Sequence, residues 1–269
     1  MYKNLISLFI LTALFLATSS STVYADDPKA REIMQKAEDR DDGDHRTSNM
    51  LMILIDKNGN KREKYFKTFS KDYGKDSKQI MFIEKPSNIR NTGFLTFDYD
   101  NPDKDDDQWL YLPALGKPKR IASTDKDGSF MGSDLNYSDM TSRELSDYDY
   151  KILKETKVKG SEVWLIESMP RSKSVIDETG YKKSILAVRK DNFVVSKVKA
   201  WTKDGGYVKI MDFNKIELVE NVWIAKEILV AKRLGKTIKH KTHIKISNIK
   251  FNQNLSDDLF TLRRIKKGL

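Results

Sequence analysis

His45, His240 and His243 are the only imidazoles in the chain, and it contains no cysteine. Zinc chemistry needs three or four nitrogen or sulfur donors converging on one point. His240 and His243 are three residues apart, a spacing that turns them to opposite faces of a strand. They make no joint metal site, and no metal is expected. Without cysteine there is no thiol nucleophile either. Two acidic loops, Asp39 to Asp44 and Asp98 to Asp107, carry enough carboxylates for calcium. Both lack the pattern of an EF-hand loop, the second its glycine and closing glutamate, and both read as solvated loops. Gly128-Ser-Phe-Met-Gly-Ser-Asp has its glycines too close for a phosphate-binding loop, and no lysine follows the second. No Gly-x-Ser-x-Gly elbow occurs. The ingredients of a reaction centre do not converge. The chain therefore reads as a binding protein without a cofactor, not as an enzyme.

The first residues read as an address. Lys3 gives a positive start, Leu5 to Ala17 is an apolar run, and Val23-Tyr-Ala25 offers small residues for cleavage before Asp26. Such a run matches a signal peptide and is too short to span a bilayer comfortably. The expected division is a signal peptide over 1–25 and one domain over 26–269, exported to the periplasm. Lipoprotein processing needs a cysteine to acylate, so no lipid anchor is expected. The net charge is +10; residues 1–25 hold one lysine and no acid, leaving a formal +9 on the rest. Export argues against nucleic acid as the partner of that charge, leaving a solvated basic surface or transient contact with an anionic membrane or partner.

The remaining elements are mostly strands. Pro28 to Glu38 is the one early helix, with proline in its first turn and Ile33, Met34 and Ala37 as a stripe. Strands follow over 48–55, 61–70, 79–84, 93–99 and 108–113, the first two joined by a hairpin at Asn58-Gly59. A helical patch is expected over 137–147, where Ser142-Arg-Glu-Leu is helix-compatible. Seven more strands lie between Tyr148 and Phe251. Ser256-Asp-Asp-Leu-Phe reads as a capped turn before the basic tail Arg263-Arg-Ile-Lys-Lys. So many closely spaced strands with so few helices point to a mainly β fold. The expected architecture is an unclosed antiparallel barrel of about ten to twelve strands, with helices over its cavity.

Several strands are apolar on both faces. Met50, Met52 and Leu54 alternate with Leu51, Ile53 and Ile55; Trp109 and Tyr111 alternate with Leu110 and Leu112. A sheet with one wet face would show polar residues at every second position. One face can be covered by helices; the other needs a second cover or a ligand.

Trp109-Leu-Tyr-Leu-Pro and Gly128-Ser-Phe-Met-Gly-Ser-Asp, with the surrounding order of elements, resemble the outer-membrane lipoprotein-sorting proteins, relatives of the periplasmic carrier LolA that accompany RND-type exporters. The resemblance covers about residues 28–262. It implies an unclosed barrel with helices plugging its mouth and a cavity for acyl chains of lipoproteins or lipids. It also implies a monomeric carrier that docks with an inner-membrane RND-type or ABC-type exporter. LolA itself lacks the Gly128 block, which leaves the cargo open. A sensor of the same fold, reporting lipid or misfolded protein to a membrane partner, is the alternative. The candidate lining residues are Met50, Met52, Leu54, Phe94, Trp109, Tyr111, Phe130, Met131, Tyr137 and Met140, the methionines because they adapt to irregular apolar cargo. Phe130 and Met131 are expected as the apolar tip of a loop at the cavity mouth, with Asp134 and Tyr137 as its polar anchors.

Overall fold

The computed structural model describes residues 26–269, and the expected signal segment lies outside them. The chain begins with helix α1 (Pro28–Glu38), and strands β1 (Arg46–Ile55), β2 (Lys61–Tyr73), β3 (Asp76–Lys85), β4 (Gly93–Asp98), β5 (Asp107–Tyr111) and β6 (Pro118–Arg120) follow as a meander. Residues 121–147 form no strand and contain only short 3-10 turns. A second meander then runs through β7 (Tyr148–Val158), β8 (Ser161–Pro170), helix α2 (Lys173–Thr179), β9 (Tyr181–Arg189), β10 (Val195–Thr202), β11 (Val208–Val219), β12 (Val222–Leu234) and β13 (Thr237–Lys250). Helix α3 (Leu262–Lys267) ends the chain.

All thirteen strands belong to one antiparallel sheet, ordered β6-β5-β4-β3-β2-β1-β13-β12-β11-β10-β9-β8-β7. The first and last strands meet at its centre, where Met50 faces Ile246 and Met52 faces Ile244. The outermost strands, β6 and β7, do not pair with each other, so the barrel stays open. Residues 121–147 connect these two edges by crossing the inner face.

Local chemistry explains the element ends. The Asp27 carboxylate accepts hydrogen bonds from Lys29 N at 2.9 Å and Ala30 N at 3.3 Å, capping α1 ahead of Pro28. The helix buries Ala30, Ile33 and Met34. It is tied to β7: Asp27 N donates to the Tyr150 carbonyl at 2.8 Å, and Arg31 donates to the Leu145 and Tyr148 carbonyls. The first hairpin turns at Gly59, but over Asp56 to Asn60 rather than two residues. The Asp56 carboxylate gathers the amides of Asn58 and Asn60 at 2.8 and 2.9 Å, which holds the longer loop.

Two covers account for the doubly apolar character of β3, β4 and β5, whereas Leu51, Ile53 and Ile55 on the outer face of β1 stay half-buried outside both core clusters. The inner face carries the main core, including Met52, Leu54, Phe66, Phe94, Phe130, Tyr150 and Ile244. On the outer face, Ile80, Phe82 and Leu95 pack under Phe260 and Ile265, so the C-terminal segment covers β3 and β4. Gly93 permits this approach, because a Cβ there would lie 2.5 Å from Ile265. The expected basic tail is thus helix α3, with Ile265 wholly buried.

The helical patch over 137–147 is not an α-helix. It is two 3-10 turns, Tyr137–Met140 and Leu145–Asp147. Ser142 N instead donates to the Asp98 carboxylate at 2.8 Å, so a tertiary contact overrides the local preference. Helix α2 escaped the sequence reading, although Ser172 caps it and Gly180 closes it in a left-handed conformation.

The outer cover makes a definite demand on stability. Phe260→Ala removes a fully buried ring from the C-terminal cover and is expected to cost about 3–5 kcal/mol. Urea unfolding should show it as a lower midpoint with a preserved slope.

Candidate functional site

Successive inward residues of β1 run Arg46, Ser48, Met50, Met52, Leu54. At the Leu54 end the interior is filled. Met52 and Leu54 are buried, and Met52 pairs with Lys64 of β2, whose ammonium donates to the Met131 carbonyl at 2.6 Å. At the Arg46 end the crossing segment leaves a cavity of about 480 Å³. Its apolar wall includes Met50, Met81, Leu186, Val198, Met211, Phe213, Ile228, Ile244 and Ile246, with Leu135 and Met140 supplied by the crossing segment. Arg46, Ser48, Thr68, Gln79, Ser138, Asp139, Thr141 and Arg143 make a polar portion.

A buried polar lock holds the cover in place. The Lys209 ammonium, 4% exposed, donates to Asn136 Oδ1 at 2.6 Å and to the Tyr181 hydroxyl at 3.0 Å. Tyr181 in turn donates to Asp139, and Asp139 accepts the Asn136 amide at 2.8 Å. Burial pushes the Lys209 ammonium down from its ordinary range, and the Asp139 carboxylate opposes that shift. Farther along, Thr242 donates to the Asp134 carboxylate at 2.8 Å, and His240 meets the same oxygen at 2.7 Å. His243 is on the other face, near Glu227. The two histidines therefore point apart, as their spacing requires.

A cleft of about 490 Å³ shares Arg143 with the cavity and is lined by Glu38, Asp42, Asp72, Asp98, Asp100 and Glu144. The two acidic loops of the sequence thus converge here instead of standing alone in solvent. Burial, and then repulsion from Asp42 and Asp44, pushes the Asp72 carboxyl up to about 6. Burial, and then repulsion from Asp106, Asp147, Asp98 and Asp100, lifts Glu144 to about 7. Asp98 moves up as well, through burial and Asp106.

The structure divides the ten candidate lining residues into three groups. Met50 and Met140 line the cavity. Met52, Leu54, Phe94, Phe130, Met131 and Tyr137 belong to the same inner core but pack behind it. Phe94, Phe130 and Tyr137 form a ring cluster with centroids 5.0–5.8 Å apart. Phe130 is wholly buried, so it is not the apolar tip of a mouth loop; the Gly128 block plugs the interior. Trp109 and Tyr111 are corrected more fully. They face outward with Phe97 and pack against the C-terminal cover, because alternation on β5 puts them on the outer face of the sheet. Arg46, Arg143, Met211, Phe213, Ile228 and Ile246 were missed. Ile228 lies on a strand apolar on both faces, Ile246 alternates with Lys245 and Ser247 as an ordinary half-buried strand does, and nothing in the spacing of the arginines marks them.

A family model described as that of an uncharacterized protein matches residues 75–267. No curated protein matches the chain. Among solved structures, a candidate outer membrane lipoprotein-sorting protein domain from Vibrio parahaemolyticus is 29% identical. The match covers 88% of this chain and 98% of that one, with a TM-score of 0.79. A DUF1329 family protein from Desulfovibrio piger is 27% identical over 87% of this chain and 96% of that one, with a TM-score of 0.78. A LolA superfamily protein from Nitrosomonas europaea shares the fold at a TM-score of 0.64, with 18% identity over 86% of this chain and 97% of that one.

The raised rim carboxyls make stability depend on pH. A carboxyl whose folded value is raised contributes stability that is complete below its unfolded value and lost as pH climbs through its folded one. For Glu144 that window runs from its ordinary 4.5 up to about 7. Because solvent screens this half-buried group, the effect is held to about 1 kcal/mol. Glu144→Gln should therefore raise Tm by about 2–4 °C near pH 8 and leave it unchanged near pH 4, as read by thermal unfolding at the two pH values.

Proposed function

The chain belongs to the DUF1329 family, and from that premise we propose that it is a soluble periplasmic carrier that takes hydrocarbon tails into its cavity and shuttles them across the envelope. The observation that carries the reading is the unfilled cavity walled by methionine and branched aliphatic side chains. Its volume falls among ordinary small-molecule sites, roughly 300–1,000 Å³. Each methylene removed from water contributes about 0.8 kcal/mol, so one long tail gains on the order of 10 kcal/mol gross. Such binding gains its free energy without directional contacts to the tail. Resemblance to a candidate lipoprotein-sorting domain supports the same reading. Met50, Met81, Met140 and Met211 suit a carrier that must both load and release, since a thioether chain repacks at small cost. An inner-membrane exporter is the docking partner this reading implies.

Native mass spectrometry of the protein purified from the periplasm should show a bound acyl species. Met211→Trp and Ile228→Trp, which fill the cavity from two strands, should cut uptake of a fluorescent acyl probe by about tenfold or more while the fold is retained. A ligand-free mass, together with probe uptake unchanged in both filled variants, would reject the carrier.

A further inference from the structure

Two guanidinium groups in the wall of the cavity form no salt bridge among the described residues, although Asp139 favours the charge of Arg143 from beyond ion-pair distance. Arg46 makes no side-chain hydrogen bond and no salt bridge to any described residue. Burial pushes its guanidinium down, and Asp42 and Asp72 oppose the shift only from beyond ion-pair distance. Arg143 sits with its guanidinium carbon 5.8 Å from the Tyr148 ring centroid and 5.7 Å from that of Tyr181. Its one side-chain hydrogen bond among the described residues goes to the Ser184 hydroxyl at 3.2 Å. A guanidinium carries five N–H donors, so most of its donor edge is unspent. The remaining charged group of the wall, Asp139, is already committed to Tyr181, Asn136 and Lys209. Cations withdrawn from water cost several kcal/mol unless a charge and its hydrogen bonds compensate them. Two wholly buried ammonium groups, by contrast, have partners: Lys126 meets Glu178 at 2.6 Å, and Lys209 its own network.

Resting on the carrier reading, we infer that the cargo is a single-tailed anionic amphiphile whose acidic head is held by Arg46 and Arg143. Its tail lies along Met50, Met211, Ile228 and Ile244. Position along β1 supports this order of head and tail. Arg46 and Ser48 precede Met50 on the inner face, so polarity falls with depth toward the filled end. Guanidinium forks match the oxygen geometry of both carboxylate and phosphate. The volume suits one tail rather than several.

The test compares four ligands with one tail: palmitate, hexadecyl phosphate, hexadecanol and hexadecyltrimethylammonium. Each displaces the uncharged dye N-phenyl-1-naphthylamine from the full purified protein, below its micellar concentration. Both anions should displace the dye at roughly tenfold lower concentration than the alcohol, the worth of a charge-assisted contact, and the cation should be weakest. A lead for palmitate assigns a carboxylate head and a lead for hexadecyl phosphate a phosphate head; either supports the inference. Arg46→Met and Arg143→Met should each shrink the preference toward unity and leave hexadecanol unchanged. Thermal unfolding confirms that the variants are folded, and Arg46→Met alone decides if Arg143→Met is not. Equal displacement by anion and alcohol in the unaltered protein, or a full preference surviving in Arg46→Met, overturns the head-group assignment and leaves the carrier standing. Failure of all four ligands to displace the dye overturns both.

Discussion

An open antiparallel sheet cannot cover its own inner face, and this constraint organises the molecule. The edges β6 and β7 never meet, so the chain itself must lie across the interior on its way between them. A backbone buried there has to satisfy its polar groups without a neighbouring strand. It does so by folding on itself and by borrowing from the sheet. Phe130 N donates to the Leu135 carbonyl at 2.8 Å and Tyr137 N to the Gly128 carbonyl at 3.0 Å. Asp134 N donates to the Thr242 hydroxyl at 2.9 Å, and Gln108 donates to the Tyr137 carbonyl at 2.9 Å. Lys209 is the most demanding part of this arrangement, since an ammonium in the core is stable only with oxygens on several sides. The cover is therefore fixed by directional bonds, not by apolar packing alone. A cover fixed in that way need not collapse onto every part of the wall beneath it, and the cavity persists where it does not reach.

How much of this is legible in the chain depends on whether the deciding contact is local. Helix α1 is local: Asp27, Pro28 and the Ile33–Met34 stripe specify its start and its buried face without help. The strands are legible as strands, and on β5 the doubly apolar character corresponds to an outer cover, whereas on β1 the outward Leu51, Ile53 and Ile55 lie outside both core clusters. Which cover goes where is not legible. Trp109 and Tyr111 carry the same alternation as the cavity-lining Met50, and only the return of the distant Phe260 and Ile265 settles their side. Residues 141–147 fail as a helix for a similar reason. Ser142 is held by Asp98, and Arg143 lies against Tyr148 and Tyr181. The two arginines could not be singled out among 49 basic residues, because a cation facing a cavity and one facing solvent look alike in sequence.

The Gly128 block shows how a distinctive motif can be misplaced by reading it as surface. Its glycines suggest a loop, and Gly132 does take a left-handed conformation with φ of 75°. A loop need not be exposed, however, and here the turn inserts Phe130 between Phe94 and Tyr137. The motif combines a tight reversal, a buried ring and bonds to two separate strands, Lys64 of β2 to the Met131 carbonyl and Thr242 and His240 of β13 to Asp134. Those are demands of a plug.

Charge is distributed against the net sign of the chain, and the arrangement bears on what the cavity wall offers. A protein of net charge +10 gathers Glu38, Asp42, Asp72, Asp98, Asp100 and Glu144 into one cleft beside the cavity. Burial, and then repulsion from neighbouring carboxylates, lifts Glu144 and Asp72. Arg46 and Arg143 lie just inside that acidic zone. Neither forms an ion pair with it, although such pairing would relieve both signs at once. Had the cleft neutralised them, the wall of the cavity would offer an incoming molecule only hydrocarbon; because it does not, the same wall offers hydrocarbon and unspent positive charge together.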